Sequence, residues 1–164
     1  MARLDPRQAI VTLQQAVARA PAEAAERAAR VIRGASHEQL EQLMRSPLRR
    51  IVLETIFWQM PRRVDKRKAA DTSASVRWEI TGRRNDGADL YQLELNDGHC
   101  RVDRGNSARE PEVTITLDGA EFLLIATGGS DPMSAYFSGR VTVAGDIMAA
   151  AKLGSVFVIP GDRS

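Results

Sequence analysis

Apolar positions follow a helical period through the first half of the chain. They predict four helices, which start at Asp5, Pro21, Ser36 and Ser46. Ser36 and Gln39 have the spacing of a capping box, in which each side chain binds the backbone N–H of the other residue. The fourth helix should end at Pro61, because proline interrupts a helix.

In the second half the apolar period shortens to two residues, which indicates half-buried strands. Asp97-Gly98 is a strong signal for a two-residue hairpin turn. Such a turn pairs Leu95 with Cys100 on one face and Glu94 with Arg101 on the other. The sequence therefore predicts a hairpin with an apolar inner face and a charged outer face.

The strand before this hairpin should join it in a three-stranded meander. Pairing Gly82 with Asp89 across the intervening turn places Trp78 opposite Leu93. The outer face then carries a ladder of three charged residues, namely Arg77, Glu94 and Arg101. We expect the carboxylate of Glu94 to be exposed, so that its removal costs little stability.

The last third of the sequence alternates strands with short helices. Val113–Leu117 and Val141–Val143 are predicted strands, and the connection between them is long enough for a helical crossover between parallel strands. Helices are predicted to start at Asp118, Asp131-Pro132 and Asp146. The last helix should end at Gly154 and be followed by an apolar tail.

Composition excludes several classes of protein. The chain has 164 residues, 43% of them hydrophobic, and can bury a core without a disulfide or a metal. The longest apolar runs, Phe122–Ala126 and Val156–Ile159, are too short to cross a membrane. Cys100 is the single cysteine and there are two histidines, so no His/Cys metal site is expected. No cofactor motif and no apolar signal-peptide core are present, and we expect a cytoplasmic protein.

Charge is divided unevenly along the chain. Residues 1–75 hold 14 Lys/Arg and 8 Asp/Glu, whereas residues 76–164 hold 9 and 13. The basic run Arg62–Lys68 lacks interleaved aromatic residues for base stacking, so nucleic acid is not an expected partner. The run is predicted to be an exposed connector, with transient contact to an anionic membrane surface as a further role. Arginine outnumbers lysine by 20 to 3, which is typical of a GC-rich bacterial genome.

No catalytic set of residues is visible in the sequence. By the hairpin register Cys100 points inward and His99 outward, so the two cannot act together as nucleophile and base. Tyr136, Asp146 and Glu121 would serve an enzyme only if they faced one cavity. No catalytic residue is therefore assigned.

One string of residues, from Pro132 to Asp146, carries a resemblance to a known family. It contains Ala135-Tyr136-Phe137 and then Gly139-Arg140-Val141-x-Val143-x-Gly145-Asp146. Further upstream the matching segments are Val76–Thr81, Asn96-Asp97-Gly98, Val113–Leu117 and Glu121-Phe122. Together these residues resemble the sterol carrier protein type 2 domain family over residues 48–160. Residues 1–47 lie outside the resemblance, as an N-terminal helical extension.

The resemblance implies an α+β fold, with a five-stranded, mainly antiparallel, twisted sheet, a helix crossover and helices covering one face. It also implies a non-catalytic carrier, without metal or cofactor. The ligand would be a fatty acid, acyl-CoA, sterol-like lipid, isoprenoid or polyketide lipid, held in an apolar tunnel between sheet and helices. The implied lining residues are Trp78, Leu93, Leu95, Val102, Ile115, Phe122, Met133, Tyr136, Phe137, Val143, Ile147, Met148, Ala151 and Phe157. Arg140 is a candidate contact for a carboxylate or phosphate head group.

Two other functions remain open on the sequence. One is an enzyme of a bacterial lipid or natural-product pathway that folds an apolar substrate in the same cavity. The other is an interaction module, in which residues 5–45 bind a partner protein or a second copy of the chain. For the carrier we expect a mostly apolar cavity of roughly 300–1,000 Å³. We also expect residues 46–164 to fold without the segment before them.

Overall fold

The computed structural model describes residues 21–105, 107 and 109–157, so the helix predicted from Asp5 lies outside the described residues. The described helices are α1 (Pro21–Gly34), α2 (His37–Arg45), α3 (Arg49–Gln59), α4 (Lys66–Ala69), α5 (Gly119–Ala126), α6 (Pro132–Phe137) and α7 (Ile147–Val156), with a 3-10 turn at Met60–Arg63. The strands are β1 (Ser73–Thr81), β2 (Asp89–Asn96), β3 (His99–Arg104), β4 (Val113–Asp118) and β5 (Val141–Gly145).

The five strands form one mixed sheet in the order β3-β2-β1-β4-β5. Strands β1 and β4 are parallel, whereas the other neighbouring pairs are antiparallel. The predicted α+β fold with a mainly antiparallel five-stranded sheet is thus confirmed. The helical connection α5–α6 joins the antiparallel pair β4 and β5, so the expectation that it joins parallel strands is wrong. The parallel pair arises because the chain leaves edge strand β3 and passes β2 and β1 to reach β4.

The hairpin β2–β3 has the predicted register. Leu95 lies opposite Cys100 and Glu94 lies opposite Arg101. Asp97 and Gly98 have φ angles of 47° and 82°. Positive φ at both central residues is the geometry of the two-residue turn that matches the twist of the strands.

The register of β1 against β2 differs from the prediction by two residues. Ile80, not Gly82, lies opposite Asp89, and Trp78 lies opposite Tyr91 rather than Leu93. Gly82 has a φ of 82° and follows the end of β1, so the turn is longer than the predicted one. Side chains alternate between faces with a period of two, so the shift leaves every apolar residue on its predicted face.

Helix boundaries follow the predicted caps with three exceptions. The capping box of Ser36 and Gln39 is present. Helix α3 begins at Arg49 rather than at Ser46. The basic connector is partly ordered into α4, because Asp65 accepts hydrogen bonds from the backbone N–H groups of Arg67 and Lys68. Helix α7 continues past Gly154, as far as Val156.

The core lies between the apolar face of the sheet and the helices. It includes Phe57 of α3, Phe122 of α5 and Leu153 of α7. Leu40 and Met44 of α2 are also fully buried in this core. Helix α2 thus contributes to the core, and the expectation that residues 46–164 fold without the segment before them stays a prediction. No helix within the described ranges is both long and apolar enough to span a bilayer.

The opposite face of the sheet is polar but partly covered. Gln92 is buried there, and its Nε2 donates to the carbonyl oxygen of Arg109 at 2.9 Å, in the connection between β3 and β4. Glu94 accepts hydrogen bonds from Ser75 Oγ and Gln92 Nε2, both at 2.8 Å, and its side chain is only 17% exposed. Arg77 lies opposite Gln92. The predicted exposed ladder of Arg77, Glu94 and Arg101 is therefore replaced by a covered polar network.

Candidate functional site

Four aromatic side chains fill the interior between α3, α5 and the sheet. The ring of Phe57 stacks on Tyr91 with 4.0 Å between centroids, and on Phe122 with 5.1 Å. The indole of Trp78 makes edge-to-face contacts with Phe57 and Phe122, with 6.2 and 5.7 Å between ring centroids. We call these four residues the aromatic cluster. It occupies the space where the sequence predicts a tunnel.

Two hydrogen-bond donors in the aromatic cluster have no partner among the described residues. They are the hydroxyl of Tyr91 and the indole Nε1 of Trp78, both buried. Their residues lie directly opposite each other on β2 and β1. Burial, and then the nearby charges of Glu54 and Asp89, raise the pKa of Tyr91 to about 12. The phenol is therefore protonated, and is a donor, throughout the physiological pH range.

A second apolar feature lies on the surface around edge strand β5. Met133 and Phe137 on α6 are 55% and 78% exposed, and Ile147 and Met148 on α7 are 51% and 68% exposed. Both helices pack against β5. Val143 of β5 pairs with Ile115 and so points to the helix side of the sheet, yet it is only partly buried. We call these five residues, which lie on β5 and on the two helices that pack against it, the open apolar surface.

The predicted lining residues divide into three groups. Five are buried in the core: Leu93, Leu95, Val102, Ile115 and Phe122. Four are half-buried: Trp78, Tyr136, Val143 and Phe157. Five lie on the surface rather than in the interior: Met133, Phe137, Ile147, Met148 and Ala151. Two depressions of about 260 and 330 Å³ occur on the described surface, and none of the predicted lining residues borders either one.

The candidate head-group residue Arg140 is engaged within the protein. Its Nη1 lies 3.2 Å from Oε1 of Glu121, which is a buried carboxylate on α5. Ser130 Oγ donates to the same Oε1 at 2.6 Å. Because Ser130 and Arg140 flank α6 in sequence, one carboxylate fixes both ends of that short helix. The Glu121 carboxylate is therefore engaged with the residues around α6 rather than with the start of its own helix, where Asp118 accepts from the backbone N–H of Glu121.

The residues considered for catalysis do not come together. Asp146 caps α7, accepting from the backbone N–H groups of Met148 and Ala149. Tyr136 contacts Phe137, with 5.6 Å between ring centroids. Burial raises the pKa of the Cys100 thiol to about 11, which disfavours the nucleophilic thiolate. No group of three His, Cys, Asp or Glu side chains that could hold a metal ion occurs in the described part of the chain.

Two central residues were absent from the predicted lining set. Tyr91 has the same strand parity as Leu93 and Leu95, so alternation alone places it on the inner face. Phe57 lies four residues after Leu53, on the buried side of α3. No pattern in the sequence shows that their rings stack, because that contact depends on how α3 docks on the sheet.

This arrangement of sheet and helices matches a known family. A family model described as the SCP-2 sterol transfer family matches residues 53–158. The chain belongs to this family. The resemblance seen in the sequence is thereby confirmed, and the SCP-2 domain supports a lipid-binding carrier role.

Individual relatives agree with this assignment. The chain is 30% identical to peroxisomal multifunctional enzyme type 2 of Mus musculus over 101 residues. This match covers 60% of this chain and 14% of the relative. It is 35% identical over 57 residues to sterol carrier protein 2 of Homo sapiens, covering 35% of this chain and 10% of the relative. The matched segments are thus small parts of much longer proteins.

A solved structure covers the SCP-2 domain as a unit. Sterol carrier protein 2 like 2 of Aedes aegypti superposes with a TM-score of 0.54 and 27% identity, covering 66% of this chain and 98% of that one. A solution structure described as the palmitated form of the same mosquito protein has a TM-score of 0.52 and 27% identity, covering 63% of this chain and 92% of that one. These matches agree with the α+β fold described above.

Proposed function

We propose that this chain carries a single lipid whose hydrocarbon part binds at the open apolar surface and extends under the helices. The observation that carries the proposal is the exposure of Met133, Phe137, Ile147 and Met148 around one incompletely covered strand. Large apolar patches on a protein surface mark sites of contact with ligands, membranes or other proteins. The palmitated mosquito relative supports a ligand with a long hydrocarbon chain.

The physical driving force is removal of hydrocarbon from water. Each CH₂ group buried contributes about 0.8 kcal/mol, and the exposed side chains of the protein are covered in the same event. Helix α6 has only six residues and is fixed to the rest of the domain at Glu121. Its two large exposed apolar side chains, Met133 and Phe137, lie one turn apart and therefore share a face.

Titration with a pyrene-labelled C16 lipid, offered as the fatty acid and as its methyl ester, tests this function. We expect saturable binding of at least one form by the wild type. Phe137→Glu should weaken that binding about tenfold or more, because it places a charge where hydrocarbon is buried. Phe137 is exposed, so the variant should unfold at the wild-type temperature.

Val31→Glu is the matched control for this titration. Val31 is 73% exposed on α1, outside the open apolar surface. The control should bind as the wild type does. Absence of binding in the wild type contradicts the carrier function, and equal loss in both variants contradicts the assigned surface.

We also propose that the basic run beside α7 brings the carrier to anionic membranes. Lys66, Arg67 and Lys68 are exposed on α4, and α4 packs against α7. Basic residues near an anionic bilayer contribute about 1 kcal/mol each. Replacing the three by Gln should reduce co-sedimentation with phosphatidylserine vesicles, while binding to neutral phosphatidylcholine vesicles stays unchanged. Unchanged binding to the anionic vesicles contradicts this role.

A further inference from the structure

The unpartnered donors of the aromatic cluster point to the chemistry of the ligand. A buried donor without a partner is costly, and in native proteins such groups are nearly always satisfied. Tyr91 Oη and Trp78 Nε1 are both buried without a protein partner in the described structure. They sit at facing positions of neighbouring strands, on the side of the sheet that carries the helices.

Resting on the carrier function, we propose that Tyr91 and Trp78 bind the polar end of the ligand and select a neutral lipid with an alcohol, ketone or ester oxygen. Both groups are donors, so the atom they select must be an acceptor. A plain hydrocarbon offers none. The two residues are therefore specificity determinants, whereas the open apolar surface binds the tail.

The distance between the two features fits one elongated molecule. Tyr91 lies on β2 and the open apolar surface borders β5, and β1 and β4 lie between them. Three strand spacings of about 4.8 Å amount to about 14 Å. A lipid lying across the strands would thus reach from the edge of the sheet to the aromatic cluster.

The charges around Tyr91 favour a neutral oxygen over a carboxylate. Arg49 is paired with Asp89, with Nε to Oδ2 at 2.7 Å. Arg50 and Arg104 both pair with Glu54, at 3.1 and 3.4 Å. Arg49, the buried guanidinium of this group, is already paired, and the side chains of Arg50 and Arg104 are 65% and 39% exposed. An ionised head group buried among the aromatic rings would therefore have no buried cation beside it, which is strongly unfavourable.

Phe57 must move for this contact to form. Its ring stacks on both Tyr91 and Phe122, so a ligand oxygen reaches the Tyr91 hydroxyl only when α3 shifts its side chain. Trp78 contacts the same ring. Displacement of Phe57 should therefore change the fluorescence of Trp78, which gives a direct signal of ligand entry.

The test compares three C16 ligands delivered from cyclodextrin to the full chain: methyl palmitate, palmitate and hexadecane. Binding is measured by native mass spectrometry at pH 7.4. The wild type should prefer methyl palmitate to both other ligands. Tyr91→Phe keeps the ring and removes only the hydroxyl, so it should lower affinity for methyl palmitate about tenfold, the scale of a lost hydrogen bond. Its affinity for hexadecane should stay unchanged.

Trp78→Phe should act in the same direction, and Trp58→Phe is its control. Trp58 is half-exposed on α3 and belongs to neither feature, so its replacement should leave the ligand preference intact. Equal binding of methyl palmitate and hexadecane by the wild type overturns the proposal, as does an equal loss for both ligands in Tyr91→Phe. If Tyr91→Phe binds all three ligands with wild-type affinity, the hydroxyl is satisfied by an ordered water and not by the ligand, which also overturns the proposal. Failure of every ligand to bind contradicts the carrier function itself.

Discussion

At the scale of single residues, the outer face of the sheet depends on Glu94. Its carboxylate accepts from Ser75 and Gln92, and Oε2 lies 3.6 Å from Nη1 of Arg109. Glu94→Ala would leave the buried amide and hydroxyl without this acceptor. We expect a loss of about 1–3 kcal/mol in the free energy of unfolding, measured by urea denaturation.

Asp103→Ala is the matched control for Glu94. Asp103 lies on the same face and pairs with Arg101 at 2.7 Å, but the arginine side chain is 73% exposed. An exposed pair of this kind contributes about 0–1 kcal/mol. Similar losses of unfolding free energy in the two variants would show that the covered network around Glu94 stabilises the fold no more than an exposed ion pair does.

Cys100 gives a pH-dependent prediction at the same scale. Burial raises the pKa of its thiol to about 11, against about 8.5 in an unfolded chain. The unfolded state therefore loses its proton first as the pH rises, so the stability associated with this group is complete below about pH 8.5 and falls between about pH 8.5 and 11. At pH 8 the folded thiol should react with iodoacetamide at least about a hundredfold more slowly than in urea, since the thiolate reacts. Equal rates in both states would contradict the burial of Cys100.

At the scale of elements, Arg49 joins the start of α3 to the β1–β2 hairpin. Besides its pair with Asp89, its guanidinium donates to the carbonyl oxygens of Met44 and Ile80. Arg49→Ala leaves the largely buried carboxylate of Asp89 with only its longer pair to Arg83, at 3.5 Å, and takes one donor from each of the two carbonyls. We expect a loss of about 3–5 kcal/mol, the cost of breaking a buried ion pair. Thermal unfolding followed by circular dichroism measures it.

The neighbouring Arg50→Ala provides the comparison for Arg49. Arg50 pairs with Glu54 on the same helix, and its side chain is 65% exposed. Its loss should cost only a few tenths of a kcal/mol, as for other helical pairs at this spacing. If the two variants lose the same free energy of unfolding, the contacts of Arg49 between α3 and the hairpin do not stabilise the fold more than an exposed helical pair does.

The elements that the sequence predicted well are those specified locally. Asp97-Gly98 determines its hairpin by turn geometry, and Ser36 with Gln39 determines the start of α2 by side-chain caps. The register of β1 depends instead on a long turn, and a shift of two residues leaves its hydrophobic pattern unchanged. The end of α7 was misplaced because Gly154 was expected to stop it, whereas the helix continues until Val156 is buried.

At the scale of the whole molecule, the site was predicted less completely than the fold. Periodicity placed Leu93, Leu95 and Ile115 on the inner face, where they are buried. Periodicity alone does not distinguish the exposed Phe137 and Met148 from core residues of the same type. Their exposure depends on how much of β5 the helices α6 and α7 cover. The burial of Gln92 under a distant loop, and the pairing of Arg140 with Glu121, are likewise contacts between elements far apart in sequence.

The N-terminal boundary of the folded unit gives the last prediction. Leu40 and Met44 are fully buried, and a Cβ on Gly119 would lie 2.9 Å from the side chain of Met44, so α2 and α5 are in close contact. Removing residues 1–45 deletes these two large buried side chains, each worth about 1.5–3 kcal/mol. The fragment 46–164 should therefore lose at least about 3 kcal/mol in urea denaturation, whereas the fragment 21–164, which keeps α1 and α2, should retain cooperative unfolding near the midpoint of the full chain. Equal midpoints for the two fragments would show that the sheet and the helices after Arg45 form the stable unit without α2.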